Sequence, residues 1–239
     1  MVDHTRESEF GFHPSACPAE ERLTALIACK DMEKENKMYD EWAVYYDEDM
    51  KALGFQGYGV MGKRIAELIG NKNAKILDIG CGTGLFGMEL HSLGYNNIHA
   101  ADGNPNILEK SRERGVYTEL KQFMLGSNLI APYEDGAFDA VVAIAVLGPG
   151  AVDHTAMPEI SRLVATGGYL ILFIRKSRLE METERFNVKA VFEEWVASGK
   201  WERLSDISSV YYAGTDGVDN DDRVVERDGF IVTLRKLIN

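Results

Sequence analysis

The chain has 239 residues, 45% of them hydrophobic, with no internal repeat or long linker, which suits one domain around a single sizeable core. Its formal charge of -12 repels a phosphate backbone and argues against nucleic-acid substrates, since no basic stripe with interleaved aromatics offsets it. Three widely spaced cysteines, without a C-x-x-C or paired histidines, point to neither a disulfide frame nor a metal site, and no apolar run is long enough to cross a membrane.

Residues 1–21 mix proline, glycine, histidine and charge without periodicity, and they lack the basic start and apolar run of a secretion signal. A flexible arm is expected there, ahead of one soluble, intracellular domain over residues 22–239. Met38 to Met50, M-Y-D-E-W-A-V-Y-Y-D-E-D-M, reads as one amphipathic helix with Tyr39, Trp42 and Tyr46 along a stripe at i, i+3 and i+7.

Lys75 to Leu85, K-I-L-D-I-G-C-G-T-G-L, couples a buried parallel strand (Ile76, Leu77, Ile79) to a glycine-rich turn. Gly80, Gly82 and Gly84 let the backbone reverse and approach a ligand closely, and the helix Leu85 to Leu93 points its free amides at that ligand. Such a turn suits a charged, nucleotide-like molecule. A literal G-x-G-x-x-G at Gly82, Gly84 and Gly87 would favour NAD, but its last glycine falls well inside the helix. D-x-G-x-G-x-G, from Asp78 to Gly84, instead starts where the strand ends.

Asn97 to Gly103 reads as a second strand whose tip, Asp102, can accept both ribose hydroxyls of an adenosine. Its other possible role, a helix cap, falls to Asn104 instead, because Pro105 opens the next helix, Asn106 to Arg114. A fourth strand begins at Phe138-Asp139, with Phe138, Val141 and Val142 as core. Ile144, Ala145 and Val146 lie at its carboxyl end, where apolar side chains sandwich adenine or simply pack. Ile160, Leu163 and Val164 mark a helix face that Gly167-Gly168 would stop before strand five. Asp153 and His154 read as a cap and first-turn residue rather than as a catalytic pair. A helix over Arg185 to Lys200 and an antiparallel strand pair, Ile207 to Ala213 and Phe230 to Lys236, complete the chain. The acids between those strands, Asp216, Asp219, Asp221 and Asp222, lack a calcium loop's closing glycine and glutamate and read as a solvated hairpin.

These motifs in this order resemble the class I S-adenosylmethionine-dependent methyltransferases. The resemblance implies an α/β, Rossmann-like, doubly wound fold with a mostly parallel seven-stranded sheet, an antiparallel last strand and an N-terminal helical lid at about residues 31–70. It places S-adenosylmethionine against Asp78, Gly80, Gly82, Gly84 and Leu85, with Asp102, Gly103 and Asn104 at the ribose and Ile144 and Ala145 near the adenine. Many relatives carry an aspartate directly after the glycine at Gly126. This chain has Ser127 and Asn128, which leaves a side-chain or backbone contact to the ring edge.

D-G-N-P at Asp102 to Pro105, the tyrosine-rich helix, A-M-P-E-I and T-G-G-Y-L further resemble the methyltransferase-like proteins named for the Williams-Beuren syndrome chromosome region, over roughly residues 31–212. In that pattern Tyr39, Trp42 and Tyr46 would cover the sulfonium and carboxylate ends of the cofactor, and an aromatic face attracts a sulfonium cation. The implied protein is a cytoplasmic enzyme, monomer or weak dimer, that transfers methyl in line to a small molecule and leaves S-adenosylhomocysteine. A protein acceptor stays open. A cofactor-binding regulatory protein with little activity and an NAD-dependent oxidoreductase are the alternatives. The motifs assign no general base and no metal ligand. Tyr39, Tyr46, Arg175 and Tyr211 are the expected acceptor contacts.

Overall fold

Apolar strands alternating with amphipathic helices form a sheet covered on both faces. The computed structural model describes residues 8–9, 11, 14–29, 31–126, 130–148, 152–184, 186–210 and 228–238. Four helices come first: α1 (Ala19–Ala28), α2 (Met32–Trp42), α3 (Tyr46–Ala52) and α4 (Gly57–Leu68). Then follow β1 (Ile76–Ile79), α5 (Leu85–Ser92), β2 (Ile98–Asp102), α6 (Pro105–Glu113), β3 (Glu119–Gln122) and β4 (Phe138–Ile144). The last part holds α7 (Met157–Leu163), β5 (Val164–Arg175), α8 (Lys176–Leu179), α9 (Val188–Ala197), β6 (Trp201–Arg203), β7 (Ile207–Val210) and β8 (Asp228–Lys236).

The strand order is β3-β2-β1-β4-β5-β8-β6, with β7 also paired to β8. Strands β1 to β5 run parallel, and β8 is antiparallel to β5, β6 and β7. Eight strands thus fill the expected seven positions, because the outermost one is interrupted. β6 pairs with Leu234 to Lys236 and β7 with Asp228 to Ile231, and an Arg203–Asp206 ion pair spans the gap. The order reverses between β1 and β4, so a crevice opens beyond their carboxyl ends, where open α/β sheets hold ligands.

Alternation along the strands divides the core. Ile76, Val142, Ile171 and Phe173 face α4 and α5, whereas Leu77, Val141, Leu172 and Ile174 face α7 and α9. Helix α4 packs on α5 and β5, so residues 57–68 belong to the sheet's helical layer, and only α2 and α3 lie over the crevice.

Three local expectations change. The helix expected over Met38 to Met50 breaks at Ala43 to Tyr45, where Tyr45 N–H closes a turn on Trp42 O and Lys110 Nζ donates to Ala43 O at the end of α2. Gly167-Gly168 lies within β5 and does not end a helix. A Cβ at Gly168 would sit 2.7 Å from Asp139 O, and the β4–β5 register shifts between Phe138 and Ala140, so the glycines make an irregular crossing. Helix α7 stops earlier, at Leu163, and Lys236 Nζ takes the carbonyls of Ser161 and Val164 at its end.

The described part of residues 1–21 packs against the helices. Ser8 Oγ donates to Glu41 at 2.6 Å, and Arg22, just beyond, reaches back to Pro14 O and Cys17 O. Helix α1 starts at Ala19. Ser127, Asn128, Tyr211 and the four loop aspartates lie outside the described residues. No helix among the described residues is long and apolar enough to cross a membrane.

Candidate active site

A cleft of about 920 Å³, its open mouth included, lies at the β1–β4 crossover. Its floor is the turn after β1. Gly80 has φ +68°, and a Cβ there would come 2.4 Å from Val146 Cγ2, so only glycine lets the chain leave β1 beneath Val146. Asp102 forms the next wall at the tip of β2. Its Oδ2 accepts from Gly82 N–H at 3.0 Å and its Oδ1 from Asn104 N–H at 2.9 Å, which fixes the carboxylate and leaves each oxygen a further lone pair. Burial raises the Asp102 pKa against the lowering effect of those backbone donors.

Asn104 caps α6 by accepting from Asn106 and Ile107 N–H at 2.9 and 3.0 Å, and Pro105 fills the first helical position. The apolar wall comes from Ile107, Phe123, Met124 and Leu125 on one side and Ile144, Ala145 and Val146 on the other. Ala145 has φ +61°, the only non-glycine residue with positive φ among the described residues. Backbone strain of this kind collects at ligand sites.

Helices α2 and α3 cover the cleft with Glu35, Asn36, Tyr39 and Tyr46. Two aspartates clasp this cover to the strand tips. Asp40 on α2 accepts from the side chains of Asn104 (2.7 Å) and Asn106 (2.9 Å). Asp47 on α3 accepts from Thr83 Oγ1 at 2.6 Å and pairs with Arg114.

Of the expected contacts, Tyr39, Tyr46, Gly80, Gly82, Asp102, Gly103, Asn104, Ile144 and Ala145 meet around the cleft. Trp42, Asp78, Gly84 and Leu85 do not. Trp42 is 1% exposed, packed between Tyr39 and Tyr46 with its indole N–H donating to Asp49 at 2.5 Å. It braces the cover from inside. Asp78 shares the β1 face of Ile76, so it points into the helical layer and accepts from Tyr117 Oη at 2.7 Å. Desolvation lifts its carboxyl to about 7. Gly84 is the left-handed cap of α5, and Leu85 packs in the core beside it. Gly87, the last glycine of the NAD-like pattern, is no turn residue. A Cβ there would meet Tyr117 at 2.3 Å, so Gly87 makes room for the tyrosine that reaches Asp78.

Asp153 caps the short 3-10 turn at His154–Ala156, and His154 Nδ1 accepts from Asn187 N–H, which fits their structural reading. Glu35 is the residue the motifs missed. It is 9% exposed, and its Oε2 is buried without a hydrogen-bond partner. It lies one helical turn before Tyr39, a spacing that puts both on one face of α2 and was the available signal.

These residues fit S-adenosylmethionine. Asp102 offers acceptor capacity for a ribose diol, the apolar walls suit adenine, and Tyr39 and Tyr46 with the nearby acids suit a sulfonium. A family model described as a methyltransferase domain matches residues 77–172. Human methyltransferase-like protein 27 is 30% identical over 185 residues, 77% of this chain and 74% of that protein. A mouse protein named probable tRNA methyltransferase 9B is 29% identical over 126 residues, 50% of this chain but only 25% of that protein. The solved TehB-like S-adenosylmethionine-dependent methyltransferase from Corynebacterium glutamicum has the same fold, with a TM-score of 0.55 at 19% identity over 82% of this chain and 97% of that one. With Asp102, the glycine turn and the tyrosine-bearing cover around one cleft, the chain belongs to the class I S-adenosylmethionine-dependent methyltransferases, and S-adenosylmethionine is its cofactor.

Proposed function

We propose that the enzyme methylates a small molecule by in-line displacement. The observation that carries this reading is the enclosure of the strand tips. Helices α2 and α3 are tied over them by Asp40 and Asp47, and the cleft adjoins a second, smaller cavity that shares Glu35, Tyr39 and Ala145 with it. A covered, mostly apolar cleft with a few convergent polar groups suits a small ligand. The charge of -12 further disfavours tRNA, the substrate named for one set of relatives.

In this reading Asp102 holds the ribose, and the turn through Gly80 and Gly82 with Gly103 and Asn104 follows the cofactor's edge. Ile144 and Ala145 line the adenine, while Tyr39 and Tyr46 lie over the sulfonium. The cofactor supplies a methyl group already activated on sulfur, so the protein's work is alignment and exclusion of water. The unpaired thiols Cys17, Cys29 and Cys81 support a reducing, cytoplasmic setting.

The test is to supply methyl-labelled S-adenosylmethionine with a metabolite extract below about 1 kDa, total tRNA or total protein, and to follow the label. Label in the metabolite fraction supports the reading, and label confined to tRNA or protein overturns it.

A further inference from the structure

The smaller cavity shares Glu35, Tyr39 and Ala145 with the cleft, so these residues form a common wall. Away from that wall the cavity has an apolar body from Leu26, Ile27 and Ile174, and it also carries Arg175 and Arg178. On the wall, Glu35 Oε2 is buried and accepts no hydrogen bond. Among the described residues only one other buried side-chain atom, Tyr133 Oη, is in that position. A buried carboxylate oxygen without a donor is costly, and it is the acceptor a bound hydroxyl or amine would satisfy. Burial lifts this carboxyl to about 7 despite the opposing charges of Arg178 and Arg175, a value suited to taking and releasing a proton near neutrality.

We propose that this cavity is the acceptor subsite: it takes a small molecule with a carboxylate or phosphate toward Arg175 and Arg178, and Glu35 receives the proton of that molecule's hydroxyl or amine nucleophile. The proposal rests on the small-molecule reading of the cleft. Its geometry follows from the shared wall: Glu35 borders both spaces, whereas the arginines line the smaller one alone. The nucleophile's lone pair forms the bond to the methyl carbon while the carbon–sulfur bond breaks and its electron pair stays on sulfur, giving a neutral thioether. The nucleophile's proton passes to the Glu35 carboxylate and then to solvent.

The experiment uses the full chain loaded with S-adenosylhomocysteine and titrates it with 4-hydroxybenzoate, 3-phenyllactate and 4-hydroxyphenylacetate, each beside its uncharged amide. At least one acid should bind roughly tenfold or more tightly than its amide, with the preference lost in Arg178→Met or, if that variant fails to fold, Arg175→Met. With labelled cofactor, Glu35→Gln should lower kcat on that acid on the order of 100-fold, with KM and the affinity for S-adenosylhomocysteine within about threefold. A matching thermal midpoint would show that Glu35→Gln is folded. Failure of every acid to bind, equal binding of acids and amides, or an unchanged kcat in Glu35→Gln would overturn the proposal. Methylation of the amides alone would remove the anionic assignment and leave the small-molecule reading standing. Label found only in tRNA or protein would remove both.

Discussion

The two walls of the cleft are built on opposite principles. The floor, from Ile79 to Thr83 and Asp102 to Asn104, approaches a ligand mostly with backbone, and its fitness lies in a missing Cβ at Gly80 and in one carboxylate pinned by amides. The cover, α2 and α3, approaches with side chains, and its fitness lies in long-range clasps. Arg22 on α1 and the indole of Trp42 both donate to buried Asp49, while Asp40 and Asp47 grip the floor. A floor of this kind is specified by short local motifs, whereas a cover of this kind is specified only once the chain has folded.

The largest effect should come from breaking the cover at its centre. Asp49→Ala strands a buried Arg22 guanidinium and removes the partner of Trp42, so unfolding by urea should show a loss of about 3–5 kcal/mol. A loss below about 1 kcal/mol would mean that the cover is held by apolar packing instead.

Behind the floor, Asp78→Asn should sharpen the contrast in the other direction. The folded-state pKa, about 7, lies above the ordinary aspartate value of 3.8, so ionising Asp78 penalises the folded state. That penalty is absent below the unfolded pKa, grows as pH rises, and is complete above the folded pKa. Asparagine can still accept from Tyr117, so the variant should match wild type near pH 3.5 and exceed it at pH 8 by up to about 4 kcal/mol. Chemical denaturation across that range reads the difference, and a variant less stable at pH 8 would contradict it.

Asp102→Ala is smaller in energy but specific to ligand. It should weaken S-adenosylhomocysteine binding about thirtyfold, roughly 2 kcal/mol, by removing a charge-assisted acceptor. Equal affinity would sink its ribose role. The smallest effect marks the outer face of the cover, where Lys37 pairs with Glu33 in solvent. Lys37→Ala should change stability by less than about 0.5 kcal/mol and leave ligand affinity alone.

The same contrast explains what could be read from the chain. Ile76, Leu77 and Ile79 announced β1, the glycines announced the turn, and Asp102 fell at a strand tip, because each is a local pattern of burial or backbone freedom. The motif puts Asp78 among the ligand contacts, whereas period-two alternation puts it beside Ile76 and away from the cleft. The aromatic stripe of Tyr39, Trp42 and Tyr46 was legible as a cluster but not as a surface. The break at Ala43 to Tyr45, supported by Lys110 from a distant helix, sets Tyr46 of α3 beside Tyr39 of α2 at the cleft, with Trp42 packed inward against both. Glu35 carried no motif, and only its orphaned oxygen in the folded chain singles it out.

The most direct test is a calorimetric titration of S-adenosylhomocysteine into wild type and Gly80→Val side by side. A valine there needs φ +68° and would drive its Cβ into Val146. Micromolar binding to wild type that falls on the order of 100-fold in a folded variant is the predicted result, because the floor would be closed by the added side chain. Equal affinity in the two proteins would contradict a cofactor site built on this turn.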